Sequence, residues 1–399
     1  MVHGRFHAFD LASALLQRGH DVTVFTNYPR WAVQRFGFPG DRVRSFWVHG
    51  VITRVAGKLD QKIHMPHGEE WFHKMFGRWA AAEIKKERWD VIHPWSGVSE
   101  EVLQVLVGTD TLQLVMRGSA HIGCQARLLE EEELRTGFQQ NRPSPWIIAR
   151  EEREYAMADA VVVLSTYSYN TFLEQGFSRK KLSLLLSGAS LKQFRPAVQI
   201  INERCERISS GQPLRILNIG TFSFRKGIWD TADIVRSLDM NRYRFRFVGP
   251  ISAEASALAE SLRSSVTFVP KQPQSELSSY YAWGDIFLLP TIEDGFQSVL
   301  GQAAASGLPI LTTPNGAGLD IVQQGNTGWV IPIRSSGSFV ERLRWCDAHR
   351  EELAVMVRRI YTDFRPRDWS DVAADFEAIC FQGVEAKRLR GLEARRLEG

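Results

Sequence analysis

"DIFLLPTIEDGFQSVLGQAAASGLPILTT", residues 285–313, runs from an apolar strand through an acidic, turn-prone loop into a helix and a second apolar strand. "DIFLLP" has the continuous apolar character of a strand covered on both faces. Gly307 and Pro309 stop the helix, and Ala303, Ala304 and Ala305 permit close packing along it. A strand, a crossover helix and a further strand in this order imply a parallel sheet.

The same rhythm extends in both directions. Towards the N-terminus lie "LRILNIG", "GIWDTADIVRSL", "YRFRFVG", "AEASALAESLRSS" and "VTFVP", alternating strand and helix. The first half repeats it in "FDLASALLQRGHDVTVFTN" (9–27), in 71–96, in "TLQLVMRGSAH" (111–121) and in 151–176. The polar, proline-flanked segment 194–213 breaks the pattern, which suggests a linker. The expected organisation is α/β, with two doubly wound Rossmann-like domains facing across a cleft. A first domain spans 1–195, a linker 196–213, a second domain 214–366, and a C-terminal helix with a basic tail 367–399.

With 399 residues the chain exceeds one ordinary core, and 44% apolar with 24% charged residues is a globular composition. No apolar run reaches the length of a membrane span. The opening "MVHGRFHAFD" has no signal-like apolar stretch. Cys124, Cys205, Cys346 and Cys380 lack metal-site or disulfide-scaffold spacing, which fits a reducing cytoplasm. A net charge of +4 without a dense basic stripe disfavours nucleic acid as a partner. The basic tail leaves peripheral contact with the inner membrane surface open.

Ligands of doubly wound sheets bind outside the carboxyl ends of the strands, and the motifs fall there. After "DIFLLP", a helix is expected to begin near Phe296 with Asp294 as its cap. The amides of Gly295, Phe296, Gln297 and Ser298 would then form an anion site. Ser298 and Gln302, four apart, share a face. "NIGTFSFRKGIWD" (218–230) places Arg225 and Lys226 before another helix, a pairing suited to a diphosphate.

The pairing of "RKG" with "EDGFQSVLGQAAASGLPI" resembles the retaining glycosyltransferases of family 4, of GT-B fold. "EYAMADAVVVLS", "LLSGASLKQFRP" and "ELSSYYAWGDIFLLPT" are similar to further family segments. The resemblance implies a nucleotide-diphosphate sugar as donor and a sugar, glycolipid or other hydroxyl as acceptor, with neither metal nor cofactor. No DxD motif occurs in the chain. By the same resemblance Arg225 and Lys226 neutralise the diphosphate, assisted by the amides after Gly295. Asp294 or Glu293 contacts the transferred sugar, Gln302 holds the ribose, and His121 stands beside donor and acceptor.

There are departures. The family's E-x7-E reads Asp294 to Gln302, its arginine after the first strand's glycine is Thr221, and its "NGVD" is "SGAS" (187–190). The family's first strand is missing: "HGRFHAFDLA" resembles the end of the loop after it. That makes His3, Gly4 and Arg5 candidate cleft residues, and a truncated or mis-assigned start the expectation. Alternatives are a non-catalytic sugar-nucleotide-binding GT-B protein, or another GT-B enzyme such as a sugar-nucleotide epimerase or a phosphorylase. Residues 36–79, rich in Trp, Phe, Arg and His, fit plain packing of a long insertion first, and acceptor stacking or interfacial membrane contact after it.

Overall fold

The computed structural model describes residues 1–4, 6–60, 68–189 and 191–398. Every strand pairing in it is parallel. In the second half, β7 (Leu214–Ile219), β8 (Tyr243–Val248), β9 (Val266–Val269), β10 (Ile286–Leu289), β11 (Ile310–Thr312) and β12 (Gly328–Val330) form one sheet. Its spatial order is β12-β11-β10-β7-β8-β9. All four residues of β10 are buried, as the unbroken apolar run requires. The order reverses between β7 and β10, which makes their carboxyl ends the topological switch point.

The first half holds β1 (Val24–Thr26) paired with β2 (Val43–Ser45), and a separate sheet ordered β3 (Val91–Ile92), β4 (Leu112–Arg117), β5 (Ala160–Val163), β6 (Leu182–Leu184). Met1 and Val2 stand between the two groups. Val2 N–H donates to Phe25 O at 2.9 Å, and Trp95 N–H donates to Met1 O at 3.0 Å. The Met1 ammonium donates to His93 O at 2.9 Å, and burial pushes its pKa down to about 5. Met1 and Val2 thus bridge the two groups of strands. A groove of about 500 Å³, lined by Val24, Phe25, Val91 and Ile92 among others, adjoins them.

One expected boundary moves. The segment read as a linker contains the helix Val198–Ser209, which belongs to the second domain. Its buried residues, Ile201, Arg204, Cys205 and Ile208, recur at helical spacing, and Ile201, Cys205 and Ile208 join that domain's core. Arg204, fully buried, donates to the carbonyls of Ser306 and Tyr281 at 2.6 and 2.9 Å. The C-terminal helix Trp369–Glu398 returns to the first domain, where Val372, Ala373 and Phe376 pack with Leu112, Leu114 and Met116. Lys387 on it donates to Thr111 O and Asp159, both at 2.7 Å, so that part of the basic tail is anchored. The chain crosses between domains twice, and the crossings touch where Ala189 N–H meets Arg367 O at 3.1 Å.

Candidate active site at the domain interface

Two loops leave the carboxyl ends at the switch point. After β7, Phe224–Lys226 forms a single 3-10 turn that ends at Gly227 and opens the helix Ile228–Arg236. Gly227 has φ 73°, and a Cβ there would lie 1.7 Å from Pro290 O, so only glycine fits. That close approach sets the β7 loop against the loop after β10. Ile292 N–H donates to Arg225 O at 3.0 Å, which locks the two together.

The side chains pair accordingly. Lys226 meets Asp294 in an ion pair, and Arg225 Nε donates to Glu293 Oε2 at 2.8 Å. Burial, then the neighbouring Arg225 charge, pushes the Lys226 ammonium down to about 7, while Glu293 acts in the opposite sense. Contact with the Asp294 carboxylate favours its charged form.

Glu293 is fully buried. Besides Arg225, it accepts from Ser119 Oγ at 2.6 Å, the Ala120 amide at 3.1 Å and Gln125 Nε2 at 2.9 Å. Burial alone would raise its carboxyl. Arg225, the Ser119 hydrogen bond and the Ala120 amide outweigh that and hold it below the usual range. Of the two acids the sequence offered for the sugar contact, Glu293 is therefore an interdomain anchor, and Asp294 is the partly exposed one.

The first domain extends this network. Arg117 donates to both oxygens of Glu151 at 2.9 Å and to Gln125 Oε1 at 2.6 Å, linking Glu151, Arg117, Gln125, Glu293 and Arg225. Ser119, Gln125 and Arg117 were not singled out from the sequence. The one available signal was a charged residue closing the otherwise mostly apolar strand "LQLVMR". Further contacts hold the domains together: Arg135 with Asp230 at 2.7 Å, Arg334 with Glu132 at 3.1 Å, and the Thr166 amide with Asp320 at 3.1 Å.

The expected anion site is altered. The helix runs Ser298–Ala305, beginning two residues later than anticipated. Asp294 does not cap it, because its carboxylate is taken by Lys226. Gln297 precedes the helix without a side-chain capping bond; its Oε1 accepts from the Ala317 amide at 2.7 Å. Gly295 lies against the first domain, where a Cβ would come within 2.0 Å of Gly118 O. Phe296 packs against the cores of both domains. Ser298, partly exposed, opens the helix, so its amide remains at the positive end of the dipole. Gln302 is buried and accepts from the Tyr281 hydroxyl at 2.8 Å, which turns its carbonyl into the core.

His121 does not line the cleft. Its ring is 2% exposed and packs against Tyr155, Phe172 and Phe177 at centroid distances of 5.4, 4.8 and 5.6 Å. It caps the helix Ile122–Thr136, its Nδ1 accepting from the Gly123 amide at 3.2 Å. Burial, and secondarily Arg117, pushes its pKa down to about 4, so the ring is neutral with its proton on Nε2. The N-terminal loop reaches the site indirectly. Gly4 N–H donates to Asn27 Oδ1 at 3.0 Å, and Phe6 stacks on Trp95 at 4.4 Å. Trp95 in turn packs on Gly118. His3 sits 5.1 Å from His49 and 5.7 Å from His73, and burial foremost pushes it down to about 3. Arg5 lies outside the described residues.

A family model described as Glycosyltransferase Family 4 matches residues 5–193, and one described as Glycosyl transferases group 1 matches 213–347. The chain is 22% identical over 218 residues to the putative colanic acid biosynthesis glycosyltransferase WcaL of Escherichia coli, covering 51% of this chain and 52% of that protein. It is 24% identical to the amylovoran biosynthesis glycosyltransferase AmsK of Erwinia amylovora, over 45% of each. The chain spans about half the length of the curated relatives it matches. Among solved structures it is similar to sucrose-phosphate synthase from Thermosynechococcus elongatus (TM-score 0.66, 18% identity, 94% and 92% of the two chains). It is similar also to Anabaena HepE in complex with UDP and glucose (TM-score 0.64, 12%, 94% and 95%). With both halves matched and the two facing Rossmann-like domains in place, the chain belongs to the group 1 glycosyl transferases of glycosyltransferase family 4 and has the GT-B fold.

Proposed function

We propose that the chain transfers a glycosyl group from a nucleoside-diphosphate sugar to an acceptor hydroxyl with retention of configuration, without metal or cofactor. The observation that carries this reading is the convergence of Arg225, Lys226 and Asp294 at the switch point between β7 and β10. Two cations beside a helix N-terminus suit a diphosphate, and in the transition state they stabilise the negative charge growing on it. That is the service a metal renders in other transferases.

On this reading Lys226 exchanges its Asp294 contact for phosphate when donor enters, and Asp294 turns to the sugar hydroxyls. Arg225, only part of whose guanidinium is engaged, adds a second contact. The acceptor hydroxyl attacks the oxocarbenium-like centre from the face the diphosphate leaves, and its proton passes to the departing phosphate oxygen. Closure excludes water and limits donor hydrolysis. The relatives named for colanic acid and amylovoran biosynthesis support a role in building a surface polysaccharide.

The second reading, donor binding without turnover, draws on Gln302 being occupied by Tyr281. A thermal-shift and sugar-release screen against UDP-, GDP- and ADP-sugars, with EDTA present, separates the two. Stabilisation with slow sugar release supports the transferase. Stabilisation that never leads to release, even with hydroxyl acceptors supplied, supports the binder.

A further inference from the structure

The helix Trp47–Asp60 has its apolar side on the outside. Trp47, Val48, Val51, Ile52 and Val55 are between 39% and 55% exposed. At 3.6 residues per turn they fill one arc of roughly 140°. The opposite side is pinned to the first domain by small and polar residues. His49 is buried, its Nε2 3.0 Å from Phe72 O, and the Thr53 hydroxyl donates to His49 O at 2.9 Å. Gly50 rests on the Asn27 carbonyl so closely that a Cβ would come within 2.1 Å. A surface helix of a soluble domain is built the other way round. The other strongly exposed apolar side chains, such as Val107, Leu134, Val198 and Val355, lie scattered along the chain, whereas these five form a contiguous face. Trp71, on the neighbouring helix Gly68–Ile84, is exposed as well.

Charge identifies what covers this face. Residues 28–60 hold six Lys or Arg against two Asp; Arg42 and Arg44 pair with Asp21 and Glu87, while Arg30, Arg35 and Arg54 meet the Val43 carbonyl, the Trp31 ring and the Tyr28 ring. Arg54 stands at the edge of the apolar arc, with its guanidinium 4.8 Å from the Tyr28 ring. An apolar face edged by aromatic and basic residues suits the interface of an anionic bilayer. Among the described residues no helix is long and apolar enough to cross a membrane, so the contact is one of lying on the surface. The position is also telling. Asn27, on which Gly50 rests, directly follows the carboxyl end of β1, so the helix borders the cleft on its first-domain side.

We propose that the Trp47, Val48, Val51, Ile52 and Val55 face docks on an anionic lipid bilayer. This docking does not rest on the transferase reading. The test uses the full chain with vesicles of phosphatidylcholine alone or containing phosphatidylglycerol, against a Val51→Asp/Val55→Asp variant. The wild type should float with the anionic vesicles, and the double variant should bind about ten-fold less or weaker at an unchanged melting temperature. No flotation of the wild type, or equal flotation of the variant, overturns the proposal. So does a wild-type dimer that the variant turns into a monomer, which would assign the face to a second copy. Donor-induced thermal shift, measured without vesicles, should be the same in both proteins. Its absence in both would count against the transferase reading and leave the flotation result standing.

Discussion

The Glu293 carboxylate, from the second domain, accepts a 2.6 Å hydrogen bond from Ser119 Oγ of the first. With the Ala120 amide, Gln125 and Arg225 also donating to it, one buried charge ties the first domain to Arg225, a cation of the proposed diphosphate site. Glu293→Gln keeps the shape but removes the charge and turns one acceptor into a donor facing donors. Hydrogen bonds to charged groups contribute about 1.5–3 kcal/mol each, so a loss of about 2–3 kcal/mol and a larger scattering radius are expected. The carboxyl is held below its ordinary range, so its contribution is complete above that range and is lost as pH falls through the lowered native value. The acid limb of a melting-temperature profile should therefore flatten in the variant. An identical acid limb would remove Glu293 as the closure anchor.

Gly295 offers a cleaner test of closure, because it has no side chain to lose. A methyl group there would lie 2.0 Å from Gly118 O, backbone against backbone, so neither side can yield without moving a domain. Gly295→Ala should hold the two domains apart. Nucleotide affinity should fall modestly, within about ten-fold, while sugar release drops much further, since water exclusion and positioning depend on closure. Small-angle scattering checks the domain separation directly, and wild-type dimensions together with wild-type turnover would defeat the argument.

The fold was legible because its cause is local. Apolar runs such as "DIFLLP" and the helical segments between them prescribe parallel strands with crossovers, and the two cations before Gly227 mark a strand's carboxyl end. What the sequence hid depends on distant partners. The 201, 204, 205, 208 spacing within 194–213 is helical, but Arg204 on the inner face gives the segment a polar composition, and only its distant carbonyl partners account for that burial. Glu293 and Asp294, adjacent in sequence, diverge because one meets Ser119 and the other Lys226, a choice made by domain contact. Gln302 stands where the resemblance puts the ribose contact, yet Tyr281 takes up its carbonyl.

His121 shows how a motif position can be occupied by a scaffold residue. Its ring fills an aromatic cage, and its Nδ1 caps the helix behind the loop that presents Ser119 and Ala120 to Glu293. His121→Asn retains a cap acceptor but empties part of the cage, so stability should fall by about 1–3 kcal/mol. Turnover per folded molecule should remain within a few-fold of wild type, with no change in the pH profile near neutrality. A hundred-fold loss of turnover in a folded variant with unchanged donor affinity would reinstate a direct catalytic role.

Lys226 makes the proposed donor site sensitive to pH in a predictable sense. Its ammonium is pushed down to about 7 in the unliganded chain, first by burial and then by Arg225. A bound diphosphate adds negative charge beside it and raises that value. Between the two values, binding must take up a proton. Donor affinity should thus be level below about pH 7 and fall by up to ten-fold per pH unit above it. Titration calorimetry in buffers of different ionisation enthalpy reads the proton directly. Lys226→Arg, whose charge persists across this range, should abolish both the uptake and the slope, and Lys226→Ala should weaken binding several-fold at pH 6. Wild-type affinity in Lys226→Ala, or a flat wild-type profile without proton uptake, would show that the diphosphate does not lie against this side chain.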